Sequence, residues 1–280
     1  MTATSANYTC AVLGDPIDHS LSPTLHNAAY AELGLGWTYD RHQVPAGGLA
    51  GFLAACGPHV RGLSLTMPLK REALPLVASM SPRARIAGAI NTLVRTSYGW
   101  AGDNTDLPGA VAAIRERSAH PIVHAAILGA GATAASIGLA VAELGAEHIS
   151  ILARHAERAG ETVSVLDDQC HRVGVSVDSI DTVLENVDIL ISTIPASAQT
   201  PALVARYRDT PIIFDAIYDP WPTPLATAAT GVVVSGHDLL IHQAALQFEL
   251  FTGHVAPMEA MRAALQPIGD QADQAEHSVP

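Results

Sequence analysis

Gly129, Gly131 and Ala134 stand in a G-x-G-x-x-A spacing, between an apolar run ending at Leu128 and an Ala-rich run that continues to Leu144. Set between a strand and a helix, such a loop lets the backbone come close to a pyrophosphate. The helix start behind it offers unpaired N–H groups and a partial positive charge, so a dinucleotide can dock without a basic side chain in the loop. The next strand, Ile149 to Ala153, runs into Arg154-His155, with Arg158 just beyond. A unit built for NAD usually carries a carboxylate at that strand end, against the ribose 2′-hydroxyl. Two guanidinium groups suit a 2′-phosphate instead, because it accepts charge-assisted hydrogen bonds. Loop and arginines together predict an NADP site.

The remaining chemistry-bearing residue types exclude several classes of function. Thirteen histidines include no H-E-x-x-H spacing and no cluster with carboxylates, so no metal is expected. Cys10, Cys56 and Cys170 are scattered and odd in number, which predicts reduced thiols rather than a disulfide framework. A net charge of −12 argues against nucleic acid or anionic lipid as a partner, since both call for clustered Lys and Arg. With no apolar run of about 20 residues and no basic-then-apolar N-terminal stretch, a cytoplasmic protein is expected.

The elements that position these residues follow from periodicity and turn residues. Strands are predicted at Tyr8–Leu13, Thr38–Val44, Gly62–Leu65 and Ile90–Arg95, with helices at Gly48–Ala55 and Arg71–Met80 between them. Ser22 is a good N-cap and Pro23 a good first residue for a helix carrying Leu25, Ala28, Ala29 and Leu33 on one face. These βαβ units predict a parallel or mixed sheet. A helix over Gly109–Arg117 then leads to a crossing at His120-Pro121. After the Gly-rich unit, strands at Ile189–Thr193, Ile212–Asp215 and Val232–Ser235 continue a second sheet, and helices at Leu239–Thr252 and Pro257–Leu265 close the fold. The Gln-, Asp- and Ala-rich stretch over 269–280 is predicted to be a disordered tail.

Four further motifs, read together, closely resemble the shikimate dehydrogenase family. They are Gly14-Asp15-Pro16-Ile17-Asp18-His19-Ser20-Leu21-Ser22-Pro23, Leu65-Thr66-Met67-Pro68-Leu69-Lys70, Gly88-Ala89-Ile90-Asn91-Thr92 and Gly102-Asp103-Asn104-Thr105-Asp106. The resemblance runs from about Tyr8 to Met261 and takes in the Gly-rich loop and the stretch Gly236 through Gln243. It implies an α/β fold in which an N-terminal α/β substrate-binding domain faces a Rossmann-type, doubly wound NADP-binding domain across a cleft. The expected division is 1–107 completed by helices within 238–268, against 108–237. The implied reaction is the reversible, NADPH-dependent reduction of 3-dehydroshikimate to shikimate, by a monomer or weak homodimer.

Carried over motif by motif, the resemblance implies that Ser20 and Ser22 hold the substrate carboxylate, while Thr66, Asn91, Asp106 and Gln243 meet its ring hydroxyls. Tyr218 becomes a further substrate contact, and Lys70 and Asp106 the catalytic pair. Gly129, Ala130, Gly131, Ala132, Thr133, Arg154, His155, Arg158, Thr193, Ile217 and Gly236 fall on the cofactor side. The chemistry agrees: hydride reduction of a ketone creates an alkoxide that needs a proton, a lysine ammonium can give one, and a neighbouring aspartate can orient it. Either residue alone would read as a solvated lysine or a helix cap. Asp238 stands where many members carry Gly, Ala132-Thr133-Ala134 replaces a commoner Gly-Ala-Ser run, and His155 stands where a hydroxyl residue is common. Two rival readings are an NAD-linked quinate/shikimate dehydrogenase, which Arg154 disfavours, and a non-catalytic NADP-binding sensor, which has no use for the Lys–Asp pair.

Overall fold

The computed structural model describes residues 7–169 and 172–265. Two six-stranded sheets account for the architecture. The first is built from β1 (Thr9–Gly14), α1 (Ser22–Glu32), β2 (Thr38–Gln43), α2 (Leu49–Ala55), β3 (Val60–Leu65), α3 (Leu69–Glu72), β4 (Ser79–Met80), α4 (Pro82–Ala87), β5 (Thr92–Thr96) and β6 (Gly99–Asp103). Its order is β2-β1-β3-β5-β6-β4. β1 pairs in parallel with β2 and β3, whereas β5 runs antiparallel to both β3 and β6. The sheet is therefore mixed.

Helix α5 (Asp106–Arg117) crosses to the second sheet. That sheet comprises β7 (His124–Leu128), α6 (Ala132–Glu143), β8 (His148–Ala153), α7 (Gly160–Gln169), β9 (Gly174–Ser179), β10 (Ile189–Ser192), α8 (Pro201–Tyr207), β11 (Ile212–Asp215), α9 (Pro224–Ala228) and β12 (Val232–Ser235). All its strands are parallel, in the order β12-β11-β10-β7-β8-β9, the doubly wound arrangement whose chain reverses direction beside β7. Finally α10 (Gly236–Thr252) and α11 (Met258–Ala263) return to the first sheet.

Alternate residues of β1 explain why that return is needed. Cys10 and Val12 point into a core with Leu25 and Tyr30 of α1 and Phe248 and Phe251 of α10, while Ala11 and Leu13 face Leu49, Leu53 and Trp100 on the other side. A strand apolar on both faces needs a layer on each, and α10 is part of one layer. The second sheet likewise has a core on each face, one around Ile127, Ile151 and Phe214 and the other around Leu128, Leu152 and Ile213.

Several expectations are corrected. The helix predicted over Arg71–Met80 stops at Glu72, and a 3-10 turn at Leu74–Leu76 and the short strand β4 replace the rest. Pro75 gives the reason, since it cannot donate within a helix and crowds the preceding turn. Ser22 is not the N-cap of α1: the helix begins at Ser22, Leu21 precedes it, and no side chain caps it. Helix α10 starts at Gly236, three residues before the expected Leu239. The predicted tail at 269–280 and Cys170 lie outside the described residues.

Asp238, the departure from the family pattern, has a structural role. It sits in the first turn of α10 and forms a reciprocal capping box with Ser235. Its carboxylate also meets Arg117 Nη2 of α5 at 2.6 Å, locking α5 to α10. Burial pushes the Asp238 carboxyl up, but the Arg117 guanidinium and the Ser235 N–H and hydroxyl outweigh it and hold it below the ordinary range. A group depressed in this way stabilises the fold above its unfolded pKa and loses that contribution as pH falls through its folded value. Asp238→Ala should therefore lower stability by about 1–2 kcal/mol near neutrality, the usual loss for a cap. In thermal melts the gap from wild type should narrow under acid conditions; an unchanged melting temperature at neutral pH would rule this role out.

Candidate active site

Lys70 lies on α3, where Leu69, fully buried, anchors the short helix against the first sheet. The backbone of the same turn is held by Ile90 N donating to Lys70 O at 2.8 Å, and Leu65 N donates to Asn91 O at 2.7 Å. The motif around Asn91 and the motif around Asp106 are brought together by strand pairing, because β5 and β6 are antiparallel with Thr92 opposite Asp103. Asp103 then shapes the turn that follows. Its Oδ1 accepts from Asn104 N at 2.7 Å and from Ser81 Oγ at 2.5 Å, while Arg83 Nη2 donates to Oδ2 at 2.6 Å. Asp106 is thereby delivered to the first turn of α5.

The outcome is a compact polar cluster. Lys70 Nζ lies 2.6 Å from Asp106 Oδ2, with only 14% and 7% of the two side chains exposed. Asn91 Nδ2 donates to Asp106 Oδ1 at 2.8 Å and to Thr105 Oγ1 at 2.9 Å. Both carboxylate oxygens of Asp106 are thus engaged, and the lysine ammonium, which has three protons, is oriented with donors to spare. Across the cleft Lys70 Nζ approaches Thr133 Oγ1 of the second domain at 3.4 Å.

A second tier of hydrogen bonds holds Asn91 from behind. Thr92 Oγ1 donates to Asn91 Oδ1 at 2.7 Å, and Gln247 of α10 donates to Thr92 Oγ1 at 3.0 Å and to Asn91 O at 3.2 Å. Gln247 in turn accepts from Ser64 Oγ at 2.8 Å, and Tyr39 donates to Ser64 Oγ at 2.5 Å. Neither Ser64 nor Gln247 was found from sequence. Gln247 follows Gln243 by one helical turn, and that spacing was the one signal available.

Lys70 and Asp106 line a cavity of about 150 Å³, the size of a single-ring solute. Thr66, Asn91, Tyr218 and Gln243 also line it, together with Ser64 and Gln247. Ser20 and Ser22 are buried and do not line this space, but Ser20 neighbours the hydroxyl of Tyr218, which does. Burial raises the Tyr218 phenol above its ordinary pKa, with the Ser20 hydroxyl acting against the shift. The loop carrying Tyr218 hangs from the buried Asp215, whose Oδ1 accepts from Ile217 N at 3.2 Å and whose Oδ2 accepts from Thr223 Oγ1 at 2.6 Å. Gly236 and Ala216 line the cavity, whereas Ile217 stands beside it, half-buried.

Two more hollows continue from this one. A cavity of about 390 Å³ is lined by Gly129 to Thr133 and Thr193, and it shares Thr66, Lys70 and Thr133 with the first. A third, of about 280 Å³, runs from Gly129 to Gly131 along to Arg154 and His155. The three hollows form a series from Lys70 past the Gly-rich loop to Arg154, with room along it for an elongated ligand such as a dinucleotide. The loop fits that occupant. Gly129 has φ +105°, and a Cβ there would lie 2.4 Å from Thr193 Oγ1, so glycine is required by the protein itself. Gly131 is different, since a Cβ there would meet nothing within 4 Å. Its missing side chain leaves that much more room in the hollow. Gly131 is also the uncapped start of the 12-residue α6, leaving the N–H groups of the first turn free for an anion.

Arg154 and His155 are exposed at the end of β8, and His155 Nδ1 lies 3.3 Å from Glu157 Oε1. Arg158 falls in a 3-10 turn; its side chain lies outside the described residues. Among the described residues no group of three His, Cys, Asp or Glu side chains could hold a metal ion, and no helix is long and apolar enough to cross a membrane.

Comparison with known proteins follows the same outline. Residues 12–93 match the model of the shikimate dehydrogenase substrate binding domain, 115–207 that of shikimate / quinate 5-dehydrogenase, and 236–266 that of the shikimate 5′-dehydrogenase C-terminal domain. The shikimate dehydrogenase (NADP(+)) of Microcystis aeruginosa is 31% identical over 270 residues, 91% of this chain and 94% of the relative. The crystal structure of Mycobacterium tuberculosis shikimate dehydrogenase is 42% identical, with a TM-score of 0.83 over 92% of this chain and 98% of that one. The Thermus thermophilus enzyme, solved in complex with NADP(H) and shikimate, is 28% identical with a TM-score of 0.81 over the same shares. Three consecutive domain models, a relative matched nearly end to end and a Lys–Asp pair set between two cavities agree: this chain belongs to the shikimate dehydrogenase family.

Proposed function

We propose that this chain catalyses the reversible NADPH-dependent reduction of 3-dehydroshikimate to shikimate, a step of aromatic amino acid biosynthesis, with Lys70 and Asp106 as its catalytic pair. The observation that carries the reading is the Lys70 ammonium, 2.6 Å from Asp106 and lining both the ring-sized cavity and the cavity of the Gly-rich loop. When bound, the nicotinamide cofactor supplies the hydride. Lys70 gives its proton to the oxygen that becomes an alkoxide, and in the reverse direction a neutral Lys70 takes the hydroxyl proton back. Asp106, fixed by Asn91, keeps the ammonium in line and remains available to a ring hydroxyl.

Thr66, Asn91, Tyr218 and Gln243 bind the ring, and Ser20 and Ser22 hold its carboxylate. Support for Ser22 comes from α1, whose start leaves its hydroxyl unused as a cap. On the cofactor side, Gly129, Ala130, Gly131, Ala132, Thr133 and Thr193 cradle the pyrophosphate, Ile217 and Gly236 flank the nicotinamide, and Arg154, His155 and Arg158 receive the 2′-phosphate. The working division is 1–107 completed by 238–268 for substrate and 108–237 for cofactor. The expected assembly is a monomer or weak homodimer. A cytoplasmic location fits NADPH-dependent biosynthesis and the free thiols of Cys10 and Cys56.

The test is turnover with shikimate and NADP, followed at the NADPH absorbance, beside NAD and quinate. Rapid NADP-linked oxidation of shikimate is expected. No turnover would indicate a sensor, and faster turnover with NAD and quinate would indicate the catabolic relative. Ser20→Ala is expected to raise the shikimate KM more than it lowers kcat, as befits binding shared by ground and transition states. An unchanged KM would remove Ser20 from the site.

A further inference from the structure

Arg71, next to Lys70 on α3, reaches across the cleft to the other domain. Its Nη1 lies 2.5 Å from Glu161 Oε2 in the first turn of α7, with 32% and 71% of the two side chains exposed. An ion pair so open to water contributes little and is readily exchanged. Two further observations concern the same guanidinium. Arg71 lines the cavity formed by Gly129 to Thr133. Its Nη2 is buried without a hydrogen-bond partner among the described residues. A buried donor left unpaired is costly, so one bordering an open hollow is a place for an acceptor.

Charge defines the acceptor. The loop and the start of α6 offer backbone N–H groups but no cation, and the chain carries −12 overall. The two cations lining this cavity are Lys70, engaged with Asp106, and Arg71. A pyrophosphate seated on the loop would bring two negative charges to Arg71, whose planar fork suits phosphate oxygens. We propose that Arg71 is a cofactor-binding residue that takes the dinucleotide pyrophosphate from the substrate-domain side, exchanging Glu161 for phosphate and so coupling cofactor binding to contact between the domains. The proposal rests on the assignment of the cofactor to the Gly129–Thr133 loop.

The experiment measures dissociation constants of NADP, NAD and adenosine 2′-monophosphate, which carries the 2′-phosphate but neither phosphate of the pyrophosphate, on wild type, Arg71→Met, Glu161→Gln and Gly131→Asp. Arg71→Met should weaken NADP and NAD by the same factor, about tenfold, and leave the 2′-monophosphate unchanged. Glu161→Gln removes the competing carboxylate and should tighten both dinucleotides about two- to fivefold at low salt, with the gain fading as salt rises. The proposal is overturned if Arg71→Met leaves both dinucleotides within twofold of wild type, if it weakens the 2′-monophosphate equally, or if Glu161→Gln weakens binding, as a purely structural latch would. Gly131→Asp, which puts a carboxylate in the loop, separates the two levels. Loss of NADP binding in that variant with no effect of Arg71→Met sinks Arg71 alone; unimpaired NADP binding by Gly131→Asp sinks the loop assignment beneath it.

Discussion

Lys70→Met is expected to lower kcat by roughly 10²–10⁴-fold while leaving NADPH affinity near wild type. Methionine keeps the apolar stem and deletes the ammonium that meets Asp106 at 2.6 Å. The donated proton matters chiefly in the transition state, so the loss should fall on kcat more than on KM. Asp106→Asn should slow turnover too, and should disturb KM more, because the same carboxyl is also proposed to meet a ring hydroxyl. It also changes the acceptor for Asn91 Nδ2, 2.8 Å away. If the two residues act as a unit, the double variant will cost far less than the product of the single losses. A folded, cofactor-binding Lys70→Met that keeps more than about a tenth of wild-type kcat would exclude Lys70 as general acid.

Arg154→Ala should weaken NADP about tenfold or more and barely affect NAD. Arg154 lines the far hollow at the end of β8, where the described residues lining it include no Asp or Glu. A charged hydrogen bond to phosphate contributes ~1.5–3 kcal/mol, and the exposure of Arg154 places it toward the lower end. Titration with both cofactors checks this, and equal losses for the two would remove the 2′-phosphate from Arg154. The contrast with Arg71→Met, expected to weaken both cofactors alike, distinguishes a residue that reads the 2′-phosphate from one that reads the pyrophosphate.

The cofactor half of the site was legible because its chemistry is local. A strand, a Gly-rich turn, a helix start and the next strand end lie within 31 residues, from His124 to Arg154, and each step leaves a mark in residue type. Lys70, Asp106, Asn91 and the paired serines were legible as motifs, but their juxtaposition was not. It depends on the antiparallel pairing of β5 with β6, the Thr92–Asp103 register, and the Asp103–Arg83 clamp that turns the chain toward Asp106. Ser64, Gln247 and Arg71 escaped because nothing in their neighbours along the chain marks them. Ser64 and Gln247 bond across a gap of 183 residues, and Arg71 finds Glu161 only because two domains face each other. The helix wrongly extended from Arg71 to Met80 overlooked a local breaker, Pro75, whereas the cap wrongly given to Ser22 has a different cause. Propensity is short-range, and at a functional cleft the tertiary fold can leave a side chain free of the local bond that sequence would assign it. By itself, then, the sequence determined the alternation of elements, the cofactor loop and the residue types of the chemistry. Which of those residues touch was decided by strand register and domain facing, because contacts between distant segments are set by packing a core and not by neighbours along the chain.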